Sequence, residues 1–215
     1  IEMRRSVASL TKLMTAIVVS ENYKLDEVIK ISLFAVKRES SFGDLRPDEL
    51  ITVRSLLSIM LIDSSNDAAL ALAEKRADFT SLMNKKTKEL GLANTHFSNP
   101  DGLDEPENYS SAFDIAKIFS YLINTRPEIL DIFKTKNMVV YSNDGKIEHR
   151  LKNTNELLGK VSEVVAGKTG YTGEAGGSLI LLTRNNIITV VLGSPNRFGE
   201  SEKLIQWLKE AYIWN

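Results

Sequence analysis

The sequence predicts an α+β protein in which a helical lobe stands against an antiparallel sheet covered by helices. Three observations carry this. Apolar residues recur at helical spacing through the first part of the chain. From Met138 onward, short β-type runs flank two turn signals. The last stretch returns to a helical face. With 215 residues and 43% hydrophobic content, the chain can bury a good core as one large domain or two lobes.

Ser9 opens the run Leu10, Leu13, Met14, Ile17 and Val18, which places it at the first turn of a buried helix. Glu49 to Val53 is short and strand-like, and Thr52 is placed to cap a helix through Leu56, Leu57, Met60 and Leu61. That helix stops at Asp63-Ser64-Ser65-Asn66. A second restarts in Asp67 to Glu74, and a third covers Phe79 to Leu90, ending at Gly91. Asn94 to Tyr109, with Asn99-Pro100-Asp101-Gly102, reads as a long ordered loop. Ser110 is expected to cap a helix carrying Phe113, Ile115, Ile118, Phe119 and Leu122, and Pro127 suits the first turn of a short one.

Met138 to Tyr141 and Ile147 to Leu151 flank Asn143-Asp144-Gly145, a hairpin signal. Val161 to Thr172 precedes a second hairpin, Ser178 to Thr183 and Ile187 to Leu192 around Arg184-Asn185-Asn186. Glu200 to Trp214 puts Leu204, Ile205, Leu208 and Tyr212 on one helical face, expected to pack on the sheet.

Composition narrows the function. A net charge of −1 argues against a nucleic-acid binder. No apolar stretch reaches the length of a membrane span, and no signal peptide precedes Ser9. Because the chain opens on Ile1 rather than methionine, a processed or trimmed form is expected. With no cysteine, thiolate metal sites and cysteine nucleophiles are excluded. His96 and His149 lack metal-ligand spacing and read as polar loop and strand positions, so neither metal nor cofactor is expected.

Three strings carry the chemistry: Ser9-Leu10-Thr11-Lys12, Ser64-Ser65-Asn66 and Lys168-Thr169-Gly170. A serine hydroxyl is a weak nucleophile until something removes its proton. Lys12, three residues on, shares a helical face with Ser9. To act as base near pH 7 its pKa must fall by roughly 3 units, about 4 kcal/mol. Burial and a second cation, for which Lys168 is the candidate, both push that way. Ser64 is placed to pass a proton to a leaving amine, and Asn66 to hold a substrate amide. On a strand Lys168 and Gly170 point one way and Thr169 the other, which a twist or bulge at Gly170 would relax. Glycine there lets a substrate backbone approach. Alone, each string also fits a bland reading: a helix cap, a snorkelling lysine, a strand end. As an ordered set they point to acyl transfer through a serine ester.

Ser9-Leu10-Thr11-Lys12-Leu13-Met14-Thr15-Ala16, Asn66-Asp67-Ala68-Ala69, His96-Phe97-x-Asn99-Pro100-x-Gly102-Leu103 and Gly167-Lys168-Thr169-Gly170-Tyr171-Thr172 resemble the D-alanyl-D-alanine carboxypeptidases, the low-molecular-weight penicillin-binding proteins. The resemblance implies a β-lactamase/transpeptidase-like fold, with residues 1–215 a single penicillin-binding catalytic domain and the helical lobe at roughly 45–125. It implies Ser9 as the acylated nucleophile and Lys12 as its base. Ser64, Asn66 and Lys168 become the proton-relay and substrate-orienting groups. Thr169 would hold the substrate carboxylate with Arg197, and the backbone N–H groups of Ser9 and Tyr171 would form the oxyanion hole. Gly170 and Thr172 complete the substrate-binding stretch. The implied partners are peptidoglycan stem peptides, with β-lactams as covalent inhibitors, in an extracytoplasmic setting.

Two departures from the family pattern stand out. The usual strand pair before the nucleophile helix and the later β-rich domain both lie outside the expected content of this chain. A β-lactamase needs a water-activating glutamate in a Glu-x-x-Leu-Asn segment, but Glu89-Leu90-Gly91-Leu92-Ala93 ends in alanine. Slow hydrolysis of a penicilloyl ester is therefore expected. A DD-endopeptidase shares every motif, and a non-catalytic wall-binding or regulatory module is the remaining alternative.

Overall fold

A computed structural model describes residues 1–39 and 44–211. Its centre is helix α1, Lys12–Asn22, entered through a 3₁₀ turn, Ala8–Thr11. Every residue from Lys12 to Val19 is buried, because the run is apolar on nearly all sides and other elements surround it. Burying each of Leu13, Met14 and Ile17 contributes about 1.5–3 kcal/mol. Lys12 opens this helix, so the core carries an amine inward with its apolar neighbours.

A small ribbon follows, β1 (Val28–Lys30) against β2 (Leu50–Thr52), with the one-turn helix α2 (Leu33–Val36) between them in sequence. Residues 24–39 carry no sequence signal strong enough to announce β1 or α2, since each is too short to show a period. Thr52 caps α3 (Val53–Ile62) as expected, its hydroxyl accepting from the Ser55 N–H at 3.2 Å. Ser65 caps α4 (Asn66–Glu74) in the same way, and α5 (Phe79–Glu89) ends at Gly91, whose φ is +62°.

One capping expectation is corrected. Ser111, not Ser110, caps α6 (Ala112–Thr125), accepting from the Asp114 N–H at 3.1 Å. Ser110 exchanges both backbone hydrogen bonds with Arg5, which holds it extended and leaves the next serine as the last non-helical residue. Pro127 opens α7 (Pro127–Lys134). Helix α6, at the end of the expected helical lobe, packs on both α1 and α7.

The expected hairpins follow. Strands β3 (Asn137–Tyr141) and β4 (Glu148–Lys152) pair antiparallel around Gly145, with φ +74°. Strands β5 (Val164–Thr172), β6 (Gly176–Thr183) and β7 (Ile188–Ser194) form an antiparallel sheet in that order. Helix α6 covers part of β7, and α8 (Arg197–Ala211) packs on β6 and β7. In α8 only Ser201 and Ile205 are fully buried, and Tyr212 to Trp214 of the expected helix lie outside the described residues. One continuous set of buried side chains joins α1, α3, α6 and the sheet, including Leu61, Phe119 and Ile180. Among the described residues no helix is long and apolar enough to cross a membrane.

Candidate active site

The first string enters the site through a strained turn. Ala8 has a φ of +48°, a left-handed conformation that costs a residue with a Cβ about 1–3 kcal/mol. Two glycines hem it in. A Cβ on Gly102 would collide with the Ala8 carbonyl, and one on Gly170 would stand 3.0 Å from the Val7 carbonyl oxygen and 3.1 Å from the Ser9 nitrogen. Gly170, which also lines the cleft, thereby has a use beyond the expected one. Its missing side chain lets β5 lie against the Ser9 turn. The ladder also runs in unbroken register through Gly170, opposite Ser178, and the irregularity falls between Val164 and Ala166 instead.

Lys12 is fully buried and its amine touches three oxygens. It lies 2.8 Å from Ser9 Oγ, 2.6 Å from Asn66 Oδ1 and 2.6 Å from the Asp101 carbonyl. Burial is the largest influence on it and lowers its pKa from 10.5 to about 7. Asp101 opposes that shift and Arg38 adds to it. Arg38 is thus a depressing cation the sequence did not announce, and the expected repulsion between Lys12 and Lys168 is present as well, lowering Lys168. A neutral amine has two N–H groups and one lone pair. Asn66 Oδ1 and the Asp101 carbonyl can only accept, so they take the two hydrogens. The lone pair is left for Ser9, the one partner of the three with a hydroxyl proton to give.

The second string divides its duties. Ser65 does the capping, which frees Ser64 to turn inward with a φ of +65°. Its Oγ accepts from Lys168 Nζ at 2.7 Å. Asn66 uses Oδ1 on Lys12 and Nδ2 on the Glu39 carbonyl, 3.0 Å away. It therefore orients the amine as well as lining the cleft. Lys168 is buried too, and also donates to the Thr169 carbonyl at 3.0 Å. Burial, then Lys12, then Arg197 hold its pKa well below the ordinary lysine value.

These groups meet at a cleft of 440 Å³, a size that suits a small ligand. Ser9 and Ser64 lie on its wall, with Thr169, Gly170, Tyr171 and Arg197 along one side. Lys12 and Lys168 stand behind the two serines. Arg197 opens α8, its guanidinium 4.7 Å over the Phe198 ring and 5.9 Å from that of Tyr171. Its Nε is buried without a hydrogen-bond partner among the described residues. Tyr171 exposes its ring at the rim. Thr172 also lines the cleft, with its hydroxyl engaged: it donates to Asp104 at 2.6 Å and accepts from the Ala175 N–H at 3.0 Å.

Sequence reasoning missed four contributors. Thr154 lines the cleft with its hydroxyl 2.5 Å from that of Thr169. Asp101 and Arg38 surround Lys12, and Asp104 bonds both Thr172 and Ser6. Asp101 and Asp104 sit in or beside the Asn99-to-Leu103 string, which was a usable signal; Thr154 and Arg38 carry none. The histidines lie elsewhere, His96 against the Glu107 carbonyl and His149 buried on Glu49. No metal-holding cluster exists among the described residues.

A Ser–Lys pair set between a helical layer and an antiparallel sheet defines the class of the penicillin-binding and transpeptidase-like proteins. The Streptomyces K15 DD-transpeptidase superposes with a TM-score of 0.88 at 33% identity, over 96% of this chain and 88% of that one. The family model described as D-alanyl-D-alanine carboxypeptidase matches residues 1–196, and the chain belongs to that family. The D-alanyl-D-alanine carboxypeptidase DacA of Haemophilus influenzae is 37% identical over 96% of this chain and 56% of its own length. A D-alanyl-D-alanine endopeptidase of Pseudomonas aeruginosa is 32% identical over 96% of this chain and 70% of its own length. The chain thus spans little more than half the length of the curated carboxypeptidases it matches.

Proposed function

We propose that this chain is the catalytic domain of a serine-type D-Ala-D-Ala carboxypeptidase acting on peptidoglycan stem peptides. The observation that carries the reading is the 2.8 Å contact between Ser9 Oγ and a buried amine whose other two partners only accept. Lys12 takes the Ser9 proton as Oγ attacks the carbonyl carbon of the penultimate D-alanine. The N–H groups of Ser9 and Tyr171 hold the oxyanion. As the C–N bond breaks, the leaving D-alanine amine takes the proton of Ser64, which Lys168 orients; the proton that Lys12 took from Ser9 replaces it, and Lys12 is neutral again. Water then hydrolyses the Ser9 ester. Arg197 and the Thr154–Thr169 pair receive the substrate carboxylate, which also restores charge to Lys168.

A β-lactam enters the same path, its ring amide opening onto Ser9 while the leaving nitrogen stays tethered. Glu89, the one segment resembling a deacylating glutamate, lies at the end of α5 paired with Lys86 and does not line the cleft. That supports a long-lived adduct. Substrates of this kind place the enzyme outside the cytoplasmic membrane. The test is release of D-alanine from a peptide ending in D-Ala-D-Ala, with a crosslinked dimer alongside. Release from the terminal peptide, absent in Ser9→Ala, supports the carboxypeptidase. Cleavage of the dimer alone would replace it with an endopeptidase.

A further inference from the structure

The Asp101 carboxylate is completely buried beside a buried amine, an arrangement whose ordinary outcome is an ion pair that keeps the amine protonated. Lys12 nevertheless meets only the main-chain carbonyl of Asp101. The carboxylate is turned to Arg38, which grips it twice, Nε to Oδ2 at 2.5 Å and Nη2 to Oδ1 at 3.2 Å. The Leu103 N–H adds a bond to Oδ1 at 3.2 Å. We infer that Arg38 is a positioning residue for the base: by occupying the Asp101 carboxylate it stops that carboxylate from claiming the Lys12 proton. The inference rests on the acyl-transfer roles proposed for Ser9 and Lys12.

The charges around Lys12 agree. Besides its own burial, it faces Asp101 from the loop, Asp67 from α4 and Arg38 from the segment after α2, with Lys168 approaching from β5. Glu39 and Glu105 face Arg38. The two carboxylates near Lys12 favour its charged form and Arg38 opposes them. Without Arg38, Asp101 faces the amine uncompensated, and Lys12 becomes a stronger but protonated base at neutral pH. Arg38 never touches the reacting atoms.

The experiment is the pH dependence of the acylation rate constant with benzylpenicillin for the wild type, Arg38→Met, Arg38→Lys and the double variant Arg38→Met with Asp101→Asn. The rate should climb with pH in each, and Arg38→Met should move its midpoint up by about one unit or more with the high-pH plateau kept. Removing the carboxylate as well should bring the midpoint back toward wild type. Arg38→Lys keeps a cation without the fork and should shift less, which preserves the test if Arg38→Met folds poorly. An unmoved midpoint with a lowered plateau in the Arg38 variants would overturn the inference, because a merely structural arginine behaves that way. A wild type that forms no adduct at any pH would instead overturn the acyl-transfer reading, and this inference with it.

Discussion

Gly170 lets strand β5 lie so close to the nucleophile turn that a Cβ added there would stand 3.1 Å from the Ser9 nitrogen. The glycine thus sets the distance between the sheet and the turn. Gly170→Ala is expected to cost about 1–3 kcal/mol by overpacking and to slow acylation at least tenfold by displacing the Ser9 N–H. Urea unfolding and acylation kinetics together check this. Wild-type acylation in a folded variant would show that the close approach does not position Ser9.

Lys12 ties stability to pH with a definite sign. Its folded pKa of about 7 lies below the unfolded value of 10.5, so between them the unfolded chain binds more protons and wild-type stability rises with pH. The gap bounds this contribution at about 5 kcal/mol. Lys12→Met removes it, while leaving Asn66 Oδ1 and the Asp101 carbonyl each short of a donor. Relative to wild type, the variant should therefore look best near pH 6 and lose ground steadily to pH 10. Urea midpoints across that range give the answer, and a constant difference would contradict a depressed Lys12.

The hydroxyl of Thr172 is spent on Asp104 and the Ala175 N–H, which makes it a tie between the β5–β6 turn and the cleft loop. Thr172→Val and Asp104→Asn should each slow acylation several-fold, and the double variant should do no worse than the more severe single one. A double-mutant cycle on the rate constants should show coupling of about 1 kcal/mol. Additive effects would instead mean that the two residues act separately.

Arg197 lines the cleft, and its buried Nε has no hydrogen-bond partner among the described residues. Its replacement by leucine should cut turnover of a peptide with a free C-terminal carboxylate by about 10–100-fold. The matching C-terminal amide should be little affected. Equal losses on the two peptides would remove Arg197 from carboxylate recognition.

The sequence was most legible where local chemistry decides the outcome. Thr52 and Ser65 cap helices because their hydroxyls reach an N–H three residues on, and Gly145 and Asn186 mark turns through positive φ. Ser9 and Lys12 were readable because a helical turn joins them. Ser110 against Ser111 was not, since a distant pairing with Arg5 decides between two equally good caps. Thr154 and Arg38 reach the site only through tertiary packing, from segments whose local sequence is ordinary. Gly170 was recognised as a place of close approach, but its neighbour is the chain's own Ser9 turn, which no local pattern reveals.

Intact-protein mass after exposure to benzylpenicillin, followed by peptide mapping, decides whether Ser9 is the acylated nucleophile. One long-lived adduct of the full antibiotic mass should form on Ser9, missing in Ser9→Ala and slowed by orders of magnitude in Lys12→Met. An adduct that persists in Ser9→Ala, or a wild-type protein that forms none, would contradict that role.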